Sequence, residues 1–480
     1  MKRKFVTNLI LLLTLNLLIK PFWILGIDRN VQNLVGDENY GMYFALFNFS
    51  LLLNILLDLG ITNFNNKNIA QHQFLLKKHL SNIVGLKFML AVVYAFFSLT
   101  VAAVIGYGKV QMHLLIFLIF NQFLISFTLY LRSNISGLHL FRTDSILSVL
   151  DRTLMIAICS VLLFSESLKS HFTIEWFVYA QTAAYLLASV ITFAIVLHKS
   201  GKISIRFSPV FFMAFLRKSY PYALLILLMG FYNRIDGVML ERLLPETIGQ
   251  QQAGIYAQAF RLLDAVSMFG VLVAGLLLPI FDRMIKQGDD LAQMIKLSFT
   301  FLFVTAVVVA VSSIFYNSEI MEVLYHSNTE HSSELLGILM TGFIGIATTY
   351  VFGTLLTANG SLKQLNIMAF VGMVINVSLN LILIPRYQAF GSAYASLFTQ
   401  IITAGAQVIL AVLIFKLKPN YLFLLKLAAF ASVTVILAEV SLRIENWFYG
   451  YLFLIAASVF FAFILRLFNI LDLYKFIRNR

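Results

Sequence analysis

The chain has 480 residues, 60% of them hydrophobic, 14% aromatic and 12% charged, with a formal net charge of +13. Soluble domains carry about 25% charged residues, so this composition excludes a soluble globular protein. The single cysteine, Cys159 in an apolar run, excludes an intramolecular disulfide and reads as a small buried side chain.

Apolar runs such as LILLLTLNLLI, FMLAVVYAFFSLTVAAVIG, FTFLFVTAVVVAVSSIF and YLFLIAASVFFAFILRLF approach or reach the roughly 20 residues that carry a helix across a bilayer. Their hydrophobicity is continuous rather than alternating, which excludes a β-barrel, the only other way to satisfy backbone hydrogen bonds in lipid. The expected fold is an all-α polytopic membrane protein. MKRKF ahead of the first run imitates a secretory signal. No small-residue cleavage site follows, and Lys20-Pro21 interrupts the run, so the segment reads as a retained first helix. In chain order the pattern predicts fourteen helices, at about 4-27, 41-64, 82-106, 112-137, 146-165, 174-197, 219-243, 254-281, 296-316, 334-358, 366-384, 391-415, 423-442 and 448-468.

Lysine and arginine collect in cytoplasmic loops. With both termini in the cytoplasm, 25 of the 35 basic residues fall on that side, Lys87 and Arg152 among them, while 6 fall on the other side and 4 inside spans. Acidic stretches such as GDEN, LPET and NTEHSSE mark the opposite face. The net charge is thus a topology signal with attraction to anionic headgroups: membrane lipids are expected partners and nucleic acid is not.

YGMYFALFNF at 40-49 returns in weaker form as AGIYAQAFRL at 253-262. The shared frame Gly-x-Tyr-x-x-x-Phe occupies Gly41, Tyr43 and Phe47, then Gly254, Tyr256 and Phe260, 213 residues later. The copies begin the second and eighth helices. An even number of intervening helices preserves orientation, so the halves read as parallel repeats, a plan of six plus six plus two helices. The expected organisation is a six-helix lobe at 1-205, a second at 206-420 and a two-helix segment with a cytoplasmic tail at 421-480. Two such bundles would form a V around a central cavity whose access alternates by rocking.

Ionisable groups in mid-helix cost roughly 2.5 to 3.5 kcal/mol on insertion scales and generally face a partner or a watery cavity. Lys20 and Arg234 stand 21 and 20 residues before the two repeat glycines, and Arg261 and Arg132 add further intramembrane cations. Arg132 either lines the cavity or reaches toward the cytoplasmic interface. The intramembrane acids include Asp58, Asp236 and Asp264; Asp264 follows Arg261 by three residues, a spacing that also suits a self-neutralising pair. A cationic cavity suits phosphate oxygens, and pyrophosphate is a common large anion on membrane lipids.

The stretches GDENYGMYFALFNFSLLLNILLDLGI at 36-61, NRIDGVMLERLLP at 233-245, AGIYAQAFRLLDA at 253-265 and GMVINVSLNLILIPRYQAFGSAYAS at 372-396 resemble the polysaccharide transporters of the multidrug/oligosaccharidyl-lipid/polysaccharide exporter superfamily. The resemblance implies a flippase of the bacterial inner membrane that moves undecaprenyl-pyrophosphate-linked oligosaccharide, an O-antigen, capsule or exopolysaccharide unit, to the periplasmic leaflet. It implies that Lys20, Arg234, Arg261 and Arg132 hold the pyrophosphate. It also implies coupling to H+ or Na+, with Asp58, Asp236 and Asp264 as coupling sites or salt-bridge partners, and polysaccharide polymerase machinery as a neighbour.

A multidrug exporter of the same superfamily is the nearest alternative, although organic cations prefer an acidic and aromatic cavity. A membrane polymerase or ligase would need catalytic groups on a sizeable loop, and the hydrophilic connections here run to about 20 residues. HExxH, a P-loop lysine motif and paired-cysteine metal sites are missing from the sequence. No enzyme, cofactor or metal is expected.

Overall fold

In a computed structural model the described residues are 11, 14–72, 74, 76–201, 209–418 and 420–468. Among them the fold is helical throughout, without strands. Eleven helices are long and apolar enough to cross a membrane, or up to twelve when a bent pair counts as one span. The protein is a multi-pass membrane protein, and the expected count of fourteen is approximate.

The difference between the counts lies in two backbone breaks. The first helix, α1 (Thr14–Leu52), is interrupted at Gly36, whose φ of 81° and ψ of 165° suit glycine alone. A long later helix, Leu362–Phe415, is interrupted at Gln388 with φ 52° and ψ −129°, three residues after Pro385, which cannot donate a backbone hydrogen bond. Each half of these helices overlaps one predicted segment, at 4-27, 41-64, 366-384 and 391-415. The expected continuous span at 41-64 is corrected: the chain leaves α1 at Leu53, forms a 3-10 turn at Asn54–Leu57, and bends by 51° into α2 (Ile61–Gln71). Leu59 and Gly60 take positive φ there, at 46° and 86°.

The chain divides into two compact units, Met1–Ala257 and Gln258–Arg480. In the first, α3 (Leu76–Ile105), α4 (Lys109–Gly137), α5 (Phe141–Phe164) and α6 (Ile174–Ser200) assemble with α1 and α2. Helix α4 is the centre, packing on α1, α2, α3, α5 and α6. The unit also contains α7 (Pro209–Leu243), which packs on α1, and the start of α8 (Glu246–Gln287).

Here the repeated frame acquires a physical meaning, because its two glycines pack against each other's segments. A Cβ on Gly41 would sit 1.8 Å from the Gln250 carbonyl oxygen, and one on Gly254 would sit 2.0 Å from the Asp37 carbonyl oxygen. No other residue fits either place. The contact is reciprocal, since Gln250 follows Asp37 by the same 213 residues that separate the glycines. Gln32 Nε2 donates to the Gly254 carbonyl at 2.9 Å and stitches the crossing.

In the second unit, α9 (Ala292–Phe315) and the helix Leu362–Phe415, here α11, pack on α10 (Thr329–Ala358). The last helices, α12 (Tyr421–Ser441) and α13 (Trp447–Ile464), bury Leu427, Phe430, Ala438 and Leu454 with Val304, Val307, Val308 and Val311 of α9. Tyr316 donates a hydrogen bond to Ser441 Oγ at 2.8 Å, so a polar tie fixes one end of this apolar seam.

Candidate functional site

Helices in lipid satisfy their own backbone, so buried side-chain charge is where chemistry departs from scaffolding. Arg132, near the end of α4, donates from Nε to Asp144 Oδ1 of α5 at 2.9 Å. In the second unit, Arg261 Nη1 lies 3.8 Å from Asp264 one turn onward. Arg234 is half-buried on α7. On the same helix Asp236 is buried and accepts a hydrogen bond from Tyr256 of the repeated frame at 3.0 Å.

Asp58 has a partner that the positive-inside count concealed. Lys87, assigned there to the cytoplasmic side, lies within α3 and is fully buried. Its ammonium donates to Asp58 Oδ1 at 2.6 Å, to the Leu57 carbonyl at 2.9 Å and to Ser126 Oγ at 3.0 Å. The bend after α1 frees the Leu57 carbonyl, and the lysine satisfies it. Asp58 also accepts from the Thr62 backbone N–H at 3.2 Å, which caps the start of α2. This is a closed network: a cation, a carboxylate and the carbonyl of a broken helix.

Lys20 is placed differently. It is half-buried on α1, and among the described residues it has no hydrogen bond or ion pair. Arg152, Asp151 and Arg132 lie within its electrostatic reach. Pro21 and a π-helical turn at Trp23–Asp28 follow directly, an irregularity common at functional sites. The turn directs Trp23 onto Phe177 of α6, with ring centroids 5.8 Å apart and planes 5° from parallel. Arg152 of α5 lies over the Trp23 ring at 5.6 Å and over the Tyr185 ring at 5.8 Å. Asn16 donates to Ser148 Oγ at 3.0 Å and pins α1 to α5 beside this cluster.

A third polar cluster occupies the far end of the same unit. Glu241, buried on α7, accepts from Gln111 Nε2 at 2.7 Å and from Arg242 Nη2 at 3.1 Å, and Arg242 covers the Tyr107 ring at 4.1 Å. Tyr107 lies between α3 and α4. Burial, and then the neighbouring Glu241 carboxylate, pushes its phenol well above the usual value. The counterpart of Glu241, 213 residues earlier, is Asp28, buried and bonded by the Tyr40 hydroxyl at 2.7 Å. Asp28-Arg29 and Glu241-Arg242 therefore repeat, as do Gly36 and Gly249. Extending the frame upstream without a gap would have found them.

Of the sequence-predicted cations, the structure brings Lys20 and Arg132 into electrostatic range of each other. Sequence reasoning missed Lys87 and Arg152 because both flank apolar runs and counted as topology markers.

No curated protein matches the sequence. The fold is similar to that of the lipid II flippase MurJ in an inward closed conformation, with TM-score 0.71 and 15% identity, covering 98% of this chain and 100% of that one. It is also similar to an inward-facing multidrug resistance MATE family transporter of the MOP superfamily, with TM-score 0.59 and 13% identity over 84% of this chain and 97% of that one. The Vibrio cholerae MATE transporter VcmN in its bent form gives TM-score 0.55 and 13% identity over 85% and 96%. The family described as polysaccharide biosynthesis protein matches residues 5–285, more than half of the chain. With that match over more than half of its length, the chain belongs to the polysaccharide biosynthesis protein family, and it shares its fold with flippases and exporters.

Proposed function

We propose that this protein is a flippase that moves undecaprenyl-pyrophosphate-linked oligosaccharide, an O-antigen, capsule or exopolysaccharide unit, across the bacterial inner membrane by alternating access. In this reading it is not an enzyme, both termini are cytoplasmic, residues 1-205 and 206-420 form the two lobes, and 421-480 adds two helices. The observation that carries the reading is Lys20, a half-buried ammonium on a membrane helix with no hydrogen bond or ion pair among the described residues. A cation so placed is costly unless a ligand completes it, and a lipid-linked pyrophosphate supplies charge and oxygen acceptors together.

Export of organic cations is the competing reading, since MATE transporters share the fold. Against it, the faces of Trp23 and Tyr185, which a cationic drug would use, carry the guanidinium of Arg152. The acids offered as H+ or Na+ coupling sites have protein partners, Lys87 for Asp58, Tyr256 for Asp236 and Arg261 for Asp264, which favours structural roles.

The test is leaflet translocation in proteoliposomes of a lipid-pyrophosphate-linked oligosaccharide by the parent, Lys20→Ala and Arg234→Ala. The parent transports, and Lys20→Ala slows transport about tenfold or more. A parent inert toward several glycans that exports cationic dyes overturns the flippase reading.

A further inference from the structure

Arg152 stands halfway along α5, a 24-residue membrane helix, far from either end where an arginine could reach water. Among the described residues its polar partners are poor. Asp151, adjacent in sequence, lies 3.9 Å away, and Met155 Sδ accepts one long contact at 3.9 Å. A guanidinium carries five N–H donors, so this inventory leaves most of the fork unserved. Lys87, by contrast, uses its three donors on three oxygens.

The surroundings hold the fork without satisfying it. Trp23 and Tyr185 engage the guanidinium carbon over their rings, contacts that hold the charge without supplying acceptors for its N–H donors. Behind them is a rigid layer. Trp23 stacks on Phe177, Phe177 meets Tyr43 edge-on at 5.2 Å, and Gln181 donates to the Tyr43 hydroxyl at 2.8 Å. Lys20 precedes Trp23 by three residues on α1 and is in electrostatic reach of Arg152. Asp151 serves both, and Asp28, which accepts from the Tyr40 hydroxyl, lies within electrostatic reach of Arg152 as well.

From this geometry we infer that Arg152 is a substrate-binding residue, the guanidinium that joins the Lys20 ammonium in gripping a diphosphate, with Trp23 and Tyr185 as the clamp that aims it. Planar bidentate donation from Arg152 and a point charge from Lys20 are complementary ways to hold phosphate oxygens. A diphosphate supplies close oxygen acceptors, which the 3.9 Å contacts of Arg152 do not. The inference rests on the flippase reading for the identity of its ligand as a lipid headgroup, and its test separates the two.

Two probes are used on purified protein, inorganic pyrophosphate in detergent and polyprenyl pyrophosphate in vesicles, with the parent, Arg152→Gln, Arg152→Lys and Arg142→Gln. Arg142 is an exposed cation at the start of the same helix and controls for general charge loss. Arg152→Gln weakens pyrophosphate binding about tenfold or more, Arg152→Lys weakens it less, and Arg142→Gln leaves it within about twofold. The ligand-free melting temperature of Arg152→Gln is unchanged or higher, a result that loss of a purely structural cation would not give.

Parent-like affinity in Arg152→Gln overturns the inference, and with transport intact it leaves the flippase reading standing. Loss of affinity with an equal fall in ligand-free stability, restored in full by Arg152→Lys, also overturns it and assigns Arg152 to the scaffold. Pyrophosphate bound through Arg152 by a parent that neither binds the polyprenyl form nor transports supports the site, moves its ligand to a free diphosphate and discards the flippase reading.

Discussion

Lys87 and Lys20 are both lysines on membrane helices of the same unit, and the protein treats them in opposite ways. Lys87 is sealed among Asp58, the Leu57 carbonyl and Ser126, at the point where the chain breaks between α1 and α2. Lys20 keeps company with a second cation and has no hydrogen bond or ion pair among the described residues. The difference teaches how to sort intramembrane charge. A cation whose donors all meet protein oxygens repairs the scaffold, and one left open marks a place for something else to bind.

The comparison can be broken or sharpened by substitution. Lys87→Met has the largest expected effect on stability, about 3 kcal/mol, because it leaves Asp58 uncompensated and the freed Leu57 carbonyl with only the 3.3 Å donation from Ser126. Thermal melting in detergent checks it, and Asp58→Asn in the same chain recovers part of the loss; a Lys87→Met protein as stable as the parent would erase the distinction. Asp144→Asn, which removes the short partner of Arg132, costs about 1–2 kcal/mol by the same assay and adds another open cation near Lys20. Asp264→Asn costs under about 1 kcal/mol, since its contact with Arg261 is long at 3.8 Å. Lys20→Gln sits at the end of the series, with stability unchanged or raised while translocation falls; a destabilised Lys20→Gln would return that lysine to the scaffold class.

Most of the helices were legible because lipid demands long apolar runs and the sequence has them. The breaks at Gly36 and Gln388 were legible as interruptions, GDEN and PRYQAFG, between runs. The bend at Leu53–Gly60 was not, because LLLNILLDLGI is apolar enough to read straight through and the compensation comes from Lys87, about 30 residues onward. Arg152 was hidden for a related reason. Its setting is built by Trp23 of α1 and Tyr185 of α6, and hydropathy along α5 carries no trace of either. Lys20 was legible because its position relative to the repeat nearly matches that of Arg234.

The reciprocal crossing at Gly41 and Gly254 has a consequence for how the molecule is divided. A contact in which one residue meets the second of its counterparts, while that residue's own counterpart meets the first, is the geometry of a self-complementary dimer interface. Here it is contained in one chain. Two separate subunits would suffer any change at that glycine twice, whereas this chain registers each side singly. The two sides are therefore free to differ, as Asp37 and Gln250 already do, while both glycines persist because each accommodates the backbone of the other copy.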